Sequence, residues 1–323
     1  MDRNLALNLV RVTEAAALQS ARYLGRGDKN MADQAAVNGM RKMFDTLTID
    51  GVVVIGEGEM DHAPMLYIGE QIGKATEDSI KLDIAVDPLD GTTAVAKGLS
   101  NAISVVAVAP RGCLLHAPDM YMNKIAVGPK AKGKVSLDAP IEDNLHNLSK
   151  ALNKPISDIT VTMLDRPRHE DLIRRVRKAG ARIKLFQDGD VAAAMATCFE
   201  DLGVDILVGI GGAPEGVLAA AALKCMGGEF QGRLYPMNSA ERTRCFDMGL
   251  YDTDKILTME DLAKGNEIIF AATGISNGEL LKGVVYYENY MAKTYSVVMR
   301  SETGTIRFIE AIHRLDKKPE YAK

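Results

Sequence analysis

The sequence predicts an α/β protein of two domains, on two observations. Helix-like and strand-like segments alternate along the 323 residues, a length that suits one large domain or two ordinary ones. From about Pro155 onward, strand–helix pairs follow one another at regular spacing, which favours a mostly parallel sheet covered by helices. A polar, turn-rich stretch from about Val127 to Pro155 separates the two parts. We therefore predict an N-terminal α+β domain over 1–150 and a C-terminal α/β domain over 151–323.

The first half is predicted to begin with two helices. Apolar residues at helical spacing from Leu5 to Leu24 indicate an amphipathic helix, which the turn GRGDKN ends. A second helix is expected from about Ala32 to Leu47. Strands are then predicted for GVVVIGEGE, LDIAVD and AISVVAVAP, because these apolar, β-branched runs are bounded by turn residues.

The second half contains three predicted strand–helix pairs. The strands are DITVTMLD, RIKLFQD and VDILVGIGG, and the helices that follow them are RHEDLIRRVRKAG, VAAAMATCFED and PEGVLAAAALKCMGG. The tail VVYYENYMAKTYSVVMRS is typical of strands. A last helix is expected to carry FIEAIHRL.

Composition narrows the class of protein. The 39 basic and 43 acidic residues give a formal charge of −4, which argues against nucleic-acid binding and against a basic membrane anchor. The four cysteines are scattered without a CxxC pair, which favours reduced thiols. The N-terminus lacks the apolar core of a signal peptide, and no segment approaches the roughly 20 apolar residues of a membrane span. We expect a cytoplasmic protein.

Asp33 is a carboxylate in an unusual place. Ala36, Val37 and Met40 lie three, four and seven residues further along the predicted helix, so Asp33 shares an apolar face with them. A carboxylate on a buried face needs a partner or loses its charge. The alternative is an acid in the first turn that stabilises the helix dipole.

Further acidic residues follow two predicted strands. Glu57 and Glu59 come after VVVI, whereas Asp87 and Asp90 flank a Pro-Leu turn that leads to Thr92. An exposed hairpin tip and ordinary turn chemistry are the alternatives. Carboxylates without a neighbouring His or Cys set suit Mg²⁺ or Mn²⁺, and two such ions can clamp the oxygens of a phosphoryl transfer.

Loops of the second half suit anions and sugars. Arg166 and Arg168 flank a proline, and arginine favours bidentate phosphate binding, although surface arginines at a helix start are the alternative. Asp188 and Asp190 surround a glycine, and either can accept from sugar hydroxyls or cap the following helix.

A glycine turn before a helix can hold a phosphate through backbone N–H groups, and Gly211 and Gly212 form such a turn. Glu215 would repel that phosphate unless it bound a metal ion. Lys29 and Tyr121 are further candidates, with structural roles as the alternative.

Eight segments of the chain resemble, in order and spacing, the motifs of one enzyme family. They are GDKNMAD, VVIGEGEMDHAPMLYIGE, AVDPLDGT, LLHAPDMYM, DRPRH, DGDVAAA, GGAPEGV and FAATG, spanning roughly residues 10 to 275. DPLDGTT after GEGE resembles the signature of the metal-dependent, lithium-sensitive sugar phosphatases. The full set is similar to the class II fructose-1,6-bisphosphatases of bacteria.

The resemblance implies a fold and a reaction. The fold is a layered α/β/α/β/α sandwich with the active site between two α/β halves, a metal-binding domain over 1–150 and a substrate-binding domain over 151–323. The reaction is metal-dependent hydrolysis of the 1-phosphate of D-fructose 1,6-bisphosphate, a step of gluconeogenesis, with Mn²⁺ or Mg²⁺ as cofactor. The family also implies a link to glycerol metabolism and a homo-oligomer, dimer or tetramer.

The resemblance also implies roles for individual residues. The implied metal ligands are Asp33, Glu57, Asp87, Asp90 and Glu215. The implied substrate contacts are Lys29, Asp90, Gly91, Thr92, Tyr121, Arg166, Arg168, Asp188, Asp190 and Gly212. Catalysis is assigned to Thr92, which orients the attacking water, and to the carboxylates Glu59 and Asp90.

Other functions remain alternatives at this stage. A related phosphatase could act on sedoheptulose 1,7-bisphosphate, an inositol phosphate or an adenosine phosphate. A non-catalytic sugar-phosphate sensor would have no need of Thr92 and the carboxylate set. A purely structural assembly protein would leave Asp33 unexplained.

Overall fold

The structure is a computed structural model that describes residues 3–58 and 65–322. In chain order the α-helices are α1 (Arg3–Ser20), α2 (Lys29–Phe44), α3 (Thr92–Lys97), α4 (Ile141–Leu152), α5 (Glu170–Lys178), α6 (Val191–Ala196), α7 (Ala213–Met226), α8 (Ser239–Asp247) and α9 (Met259–Leu262). The strands are β1 (Asp50–Ile55), β2 (Gln71–Ile72), β3 (Lys81–Asp90), β4 (Ile103–Pro110), β5 (Tyr121–Val127), β6 (Thr160–Leu164), β7 (Arg182–Phe186), β8 (Ile206–Gly212), β9 (Glu229–Tyr235), β10 (Ile269–Gly274), β11 (Val285–Tyr287), β12 (Met291–Arg300) and β13 (Thr305–Arg314).

The chain divides into two compact units. The first contains residues 1–114 and 265–323, and the second contains residues 115–264. This division differs from the predicted boundary between residues 150 and 151. It differs because β5 pairs along its whole length with β8 and β9, whereas β10 returns to the first unit by pairing with β4. The metal-binding and substrate-binding roles of two domains stay a prediction.

The first unit is built on an eight-stranded sheet. Its order is β11-β12-β10-β4-β3-β1-β2, and β13 pairs with β12. Helices α1 and α2 pack on one face, where Leu9 and Phe44 share a core with Ile84 and Val106. Helix α2 begins at Lys29, earlier than predicted, because Asp28 caps it by accepting a hydrogen bond from Met31 N at 3.0 Å.

The predicted last helix is wrong. The segment that carries FIEAIHRL is β13, which pairs antiparallel with β12 from Thr305 to Arg314. Ten residues of β13 are paired in the ladder with β12, and alternate side chains such as Ile309 turn towards the core under α1. Long-range pairing therefore overrides the local helical pattern of this segment.

The second unit contains a five-stranded sheet in the order β7-β6-β8-β5-β9. The mostly parallel sheet that we expected is limited to β7, β6 and β8, because β5 runs antiparallel to both β8 and β9. Its core includes Ile125, Leu145, Val161 and Ile206. Two multi-stranded sheets with packed helices confirm the mixed α/β class.

None of the helices within residues 3–58 and 65–322 combines the length and hydropathy that a bilayer-crossing segment needs. The four cysteines lie in the described part of the chain and form no disulfide there.

Candidate active site

Asp33 and Glu57 form a carboxyl pair in the first unit. Their carboxyl groups interact closely enough for each to change the pKa of the other. Burial raises the pKa of Glu57 to about 8, and the negative charge of Asp33 adds to the effect. Burial also raises the pKa of Asp33. Asp33 lies beyond the first turn of α2, so the first-turn alternative does not apply.

Backbone contacts hold Glu57 just after β1. Glu57 N donates to Leu66 O at 3.0 Å, and a Cβ on Gly56 would lie 1.9 Å from the same oxygen, so this position requires glycine. Leu66 N in turn donates to Oε2 of Glu70, whose Oε1 accepts from Arg41 Nε at 2.6 Å. These hydrogen bonds therefore hold Leu66 and Glu70 against the end of β1 and against Arg41 of α2.

Asp87 and Asp90 lie at the end of β3. The register against β4 shifts between them, since Asp87 faces Val105 and Asp90 faces Ile103. Asp87 Oδ1 accepts from Leu89 N at 3.0 Å, so part of the predicted turn chemistry is present. Asp90 is buried.

The turn after β3 leads directly into α3. Gly91 has a φ of 112°, which favours glycine, and α3 begins at Thr92. Gly25 N and Gly27 N donate to the carbonyls of Val95 and Ala96, at 2.8 and 2.9 Å, and so attach the GRGDKN loop to this short helix.

This loop brings Lys29 to α3. Lys29 Nζ donates to Thr93 Oγ1 at 2.8 Å. Thr93 directly follows Thr92, the residue predicted to orient the water. Lys29 is exposed, so its remaining N–H groups can reach a bound anion.

Within residues 3–58 and 65–322, no group of three or more His, Cys, Asp or Glu side chains forms a metal-binding arrangement. Asp33 and Glu57 are two members of the predicted set whose side chains interact. Glu59, predicted as a catalytic carboxylate, lies outside the described residues. Metal binding by the full set stays a prediction.

In the second unit, His169 fixes the arginine loop. Its Nδ1 lies 2.7 Å from Leu164 O, and its Nε2 accepts from Ile210 N at 2.8 Å. A carbonyl can only accept and an amide can only donate, so the imidazole is neutral with its proton on Nδ1. Burial lowers the pKa of His169, and the charges of Arg168 and Arg166 act in the same direction.

Both predicted arginines lie on this loop. Arg168 donates through Nε and a terminal nitrogen to Ile210 O, at 3.1 and 2.7 Å, and its guanidinium lies 4.7 Å from the centre of the Tyr121 ring. A terminal nitrogen of Arg166 lies 3.9 Å from Asp188 Oδ1. These contacts join four predicted substrate residues in two pairs, Arg168 with Tyr121 and Arg166 with Asp188. The hydrogen bonds to Ile210 O fix Arg168, whereas a surface arginine at a helix start would be free to move.

Asp190 belongs to a buried ion pair. Lys124 Nζ donates to Asp190 Oδ2 at 2.6 Å, and both side chains are buried. Asp190 stands at the N-cap of α6, but its side chain accepts no hydrogen bond from that helix. The helix-cap alternative is therefore wrong for this side chain.

Glu215 lies in the first turn of α7, against the glycines that end β8. A Cβ on Gly212 would lie 1.9 Å from Glu215 Oε2, and one on Gly211 would lie 2.2 Å from Asp190 Oδ2. Burial raises the pKa of Glu215, the charge of Lys124 opposes this and Asp190 adds to it. Glu215 Oε2 is buried without a hydrogen-bond partner among the described residues. A divalent cation would fit this oxygen, which lacks any donor.

The predicted residues thus fall into two groups, one in each unit. The first unit carries Lys29, Asp33, Glu57, Asp87, Asp90, Gly91 and Thr92. The second carries Tyr121, Arg166, Arg168, Asp188, Asp190, Gly212 and Glu215. Tyr121 and Gly212 are directly opposite each other in the β5–β8 ladder.

A model of the family described as "Bacterial fructose-1,6-bisphosphatase, glpX-encoded" matches residues 3–313. The chain belongs to this family. It is 48% identical to the "Fructose-1,6-bisphosphatase 1 class 2" of Escherichia coli K12, over 98% of this chain and 97% of that protein. The class 2 fructose-1,6-bisphosphatases of Escherichia coli O6:H1 and Shigella flexneri match at the same identity and coverage. The predicted relationship to class II fructose-1,6-bisphosphatases is confirmed.

In this member of the bacterial fructose-1,6-bisphosphatase family, sequence reasoning missed three positioning residues, namely Thr93, Lys124 and His169. A signal existed for Lys124, because a charged residue alternates with apolar Met122 and Ala126 on the buried side of β5. No comparable signal marked Thr93 or His169, whose roles depend on contacts with distant parts of the chain.

Proposed function

We propose that this protein hydrolyses the 1-phosphate of D-fructose 1,6-bisphosphate, giving fructose 6-phosphate and phosphate. The observation that carries this proposal is the match to bacterial fructose-1,6-bisphosphatases over residues 3–313. The chemistry of the two residue groups supports it, since one is rich in carboxylates and the other in guanidinium groups. The reaction belongs to gluconeogenesis, and a role in glycerol metabolism is part of the proposal.

The divalent metal would be held by five carboxylates, those of Asp33, Glu57, Asp87, Asp90 and Glu215. Mn²⁺ or Mg²⁺, when bound, supplies positive charge that offsets the charge on the phosphoryl oxygens and on the leaving oxygen. Two observations support the fit. Burial and the charge of Asp33 raise the pKa of Glu57, and a bound cation would offset the negative charge there, while Glu215 Oε2 lacks a donor among the described residues.

The chain's own groups position the reactants. The hydroxyl of Thr92, in the first turn of α3, would accept from the attacking water and orient it in line with the phosphorus atom. Glu59 or Asp90 would accept the proton that this water releases. Lys29 lies beside this turn through its bond to Thr93 and would bind a phosphate oxygen.

The second group would hold the sugar and the distal phosphate. Arg166 and Arg168 provide charged donors, and the latter is fixed by Ile210 O and the Tyr121 ring. Asp188 and Asp190 would accept from sugar hydroxyls. The backbone N–H of Gly212 would donate to an oxygen of the substrate.

The remaining parts of the proposal concern the cell and the assembly. We propose a cytoplasmic enzyme that acts as a homo-oligomer and has neither nucleic acid nor membrane as a partner. The near balance of acidic and basic residues supports the absence of a nucleic-acid partner.

The test is release of phosphate from fructose 1,6-bisphosphate by the purified protein with Mn²⁺, Mg²⁺ or EDTA. Sedoheptulose 1,7-bisphosphate and inositol 1-phosphate are compared as substrates. We expect metal-dependent release that is fastest with the fructose substrate, and loss of release in Asp33→Asn. Faster release from another substrate would overturn the specificity. Binding of sugar phosphate without any turnover would identify a sensor instead.

A further inference from the structure

A pocket of about 300 Å³ lies within the second unit. Its lining includes Gly128, directly after β5, and Val204 and Asp205, directly before β8. Tyr121 and Gly212, two residues of the proposed substrate site, lie at the opposite ends of these strands. Since β5 is seven residues long, its two ends are roughly 20 Å apart, and the pocket is separate from that site.

Backbone contacts fix the walls of this pocket. A Cβ on Gly128 would lie 2.2 Å from Thr197 O, so the ends of β5 and α6 are in direct contact and this position requires glycine. On another side, Asp205 is buried, and its Oδ2 accepts from Thr160 N at 2.9 Å. The pocket is therefore built into the folded unit.

Part of the lining is apolar. Ala131 and Val204 are buried, and Leu152 at the end of α4 packs against the core of the second unit. Burial raises the pKa of the Cys198 thiol to about 12, so this group is uncharged and acts as a small apolar side chain. The pocket can therefore take up an apolar group.

Lys154 is held in place at the edge of the pocket. Its Nζ donates to Asp205 Oδ1 at 2.7 Å, and its side chain remains 45% exposed. An ammonium group has three N–H donors, so Lys154 can bind a second acceptor without releasing Asp205. The buried carboxylate therefore fixes the lysine and leaves it able to bind a ligand.

A second ion pair lies on the exposed side of the pocket. Lys130 Nζ lies 2.5 Å from Glu200 Oε1, and the two side chains are 63% and 80% exposed. The hydrogen bond from Lys130 lowers the pKa of Glu200, and the charge of Lys154 acts in the same direction, so both lysines are close to this carboxylate. An exposed ion pair contributes little to stability. A ligand that offers each charge a new partner can therefore separate Lys130 from Glu200 at small cost.

The charges of the lining are balanced, since it contains two lysines and two carboxylates. A purely anionic ligand would bring negative charge beside Glu200, whereas a ligand with one positive and one negative group finds an opposite charge for each. Because Lys130 and Glu200 are adjacent, the two charges of the ligand must be adjacent as well. An α-amino acid has this arrangement.

The volume of the pocket limits the size of the ligand. Ligand pockets measure about 300–1,000 Å³, so this pocket is at the small end of the range. We propose that it binds a free α-amino acid with an apolar side chain. The carboxylate accepts from Lys130 and Lys154, the ammonium group donates to Glu200, and the apolar side chain lies against Leu152 and Val204. This binding is independent of the proposed reaction, because it uses none of the residues proposed to bind metal or substrate.

The test is isothermal titration calorimetry of the full chain with L-leucine, L-methionine and L-phenylalanine. We expect at least one of them to bind with a dissociation constant of about 1 mM or below. For the tightest of the three, the analogue without the ammonium group and the analogue without the carboxylate should each bind about tenfold more weakly. For leucine these analogues are 4-methylpentanoate and 3-methylbutylamine.

Exchanges of single charges locate the binding. Lys130→Met and Glu200→Gln each remove one partner of the ligand and should weaken binding about tenfold. Lys132→Met and Asp201→Asn are the matched controls, because these two exposed residues are close in the chain and lie outside the lining. Both controls should bind the amino acid as tightly as wild type.

Arg168→Ala separates this pocket from the proposed substrate site and should keep wild-type affinity for the amino acid. Thermal denaturation shows that each variant is folded. The inference is overturned if none of the three amino acids binds, if the carboxylate analogue binds as tightly as the amino acid, or if Lys130→Met and Glu200→Gln both bind as wild type. Loss of amino-acid binding in folded Arg168→Ala would also overturn it. Absence of phosphate release from fructose 1,6-bisphosphate would overturn the proposed function alone.

Discussion

Lys124 Nζ lies 2.6 Å from Asp190 Oδ2, and both side chains are buried in the second unit. The other oxygen of Asp190 and Oε2 of Glu215 are buried without hydrogen-bond partners among the described residues. Burial raises the pKa of Glu215, the charge of Lys124 opposes this rise and the charge of Asp190 adds to it. One lysine of β5 therefore holds Asp190 in place and acts on Glu215 through its charge.

The ion pair predicts a large effect of Lys124→Met on stability. Removing one partner leaves a buried, uncompensated carboxylate, so we expect the free energy of unfolding to fall by about 3–5 kcal/mol. Urea denaturation of wild type and Lys124→Met measures this difference in the free energy of unfolding. The double variant Lys124→Met/Asp190→Leu removes both charges and should regain most of the loss. A single variant within about 1 kcal/mol of wild type would contradict the prediction.

Close packing predicts that Gly212→Ala weakens metal binding. The new Cβ would lie 1.9 Å from Glu215 Oε2, so the carboxylate must move. Changing a neighbour that positions a metal ligand typically costs about 10- to 100-fold in metal affinity. A titration of free Mn²⁺ by electron paramagnetic resonance measures the affinity.

The control for Gly212→Ala is Gly212→Ala/Glu215→Ala. This double variant has no clash, so it should match Glu215→Ala in Mn²⁺ affinity and regain the stability that Gly212→Ala loses. If Gly212→Ala bound Mn²⁺ as tightly as wild type, Glu215 would not be a ligand.

Adjacent threonines predict opposite kinetic effects. Thr92→Ala removes the hydroxyl proposed to orient the water, so kcat should fall about 100-fold with little change in KM. Thr93→Ala removes the acceptor of the Lys29 bond at 2.8 Å, so KM should rise about fivefold, the equivalent of one hydrogen bond of about 1 kcal/mol. Steady-state phosphate release measures both. Equal effects of the two changes would rule out these separate roles.

Buried His313 predicts a loss of stability in acid. Burial lowers its pKa to about 4, and Lys318 acts in the same direction, whereas the unfolded side chain titrates near about 6.5. Between these values the unfolded chain binds the proton and the folded chain does not, so stability falls as the pH falls through this window. Between pH 7.5 and 4.5 the contribution of His313 should fall by about 2–3 kcal/mol.

His313→Gln isolates this contribution. Glu14 contacts the same group through Thr294, and burial raises its pKa, so its contribution changes with pH in the opposite direction. The charges of Arg11 and Lys318 also act on Glu14. Comparing denaturation curves of wild type and His313→Gln at the two pH values cancels most of these other contributions. A difference independent of pH would mean that folding leaves the pKa of His313 unchanged, whereas a difference of the opposite sign would mean that the folded protein holds His313 protonated.

Much of the fold was predictable because the signals are local. The apolar face of α2, the β-branched run of β1 and the Gly-Gly-Ala-Pro start of α7 depend on residues close in the chain. The same holds for the motifs that indicated the family. Errors in α2 were confined to its ends, where the cap Asp28 was overlooked.

The sequence by itself therefore determined the α/β class, the family and the candidate residues. Tertiary structure decided that β13 is a strand, that β5 belongs to the second unit and that Lys124 neutralises Asp190. The last two features depend on residues far apart in the chain, since the partner of Asp190 precedes it by 66 positions, whereas β13 depends on its pairing with β12. Periodicity reports which face of a segment is buried, but only folding decides what that face contacts and which charges are brought together.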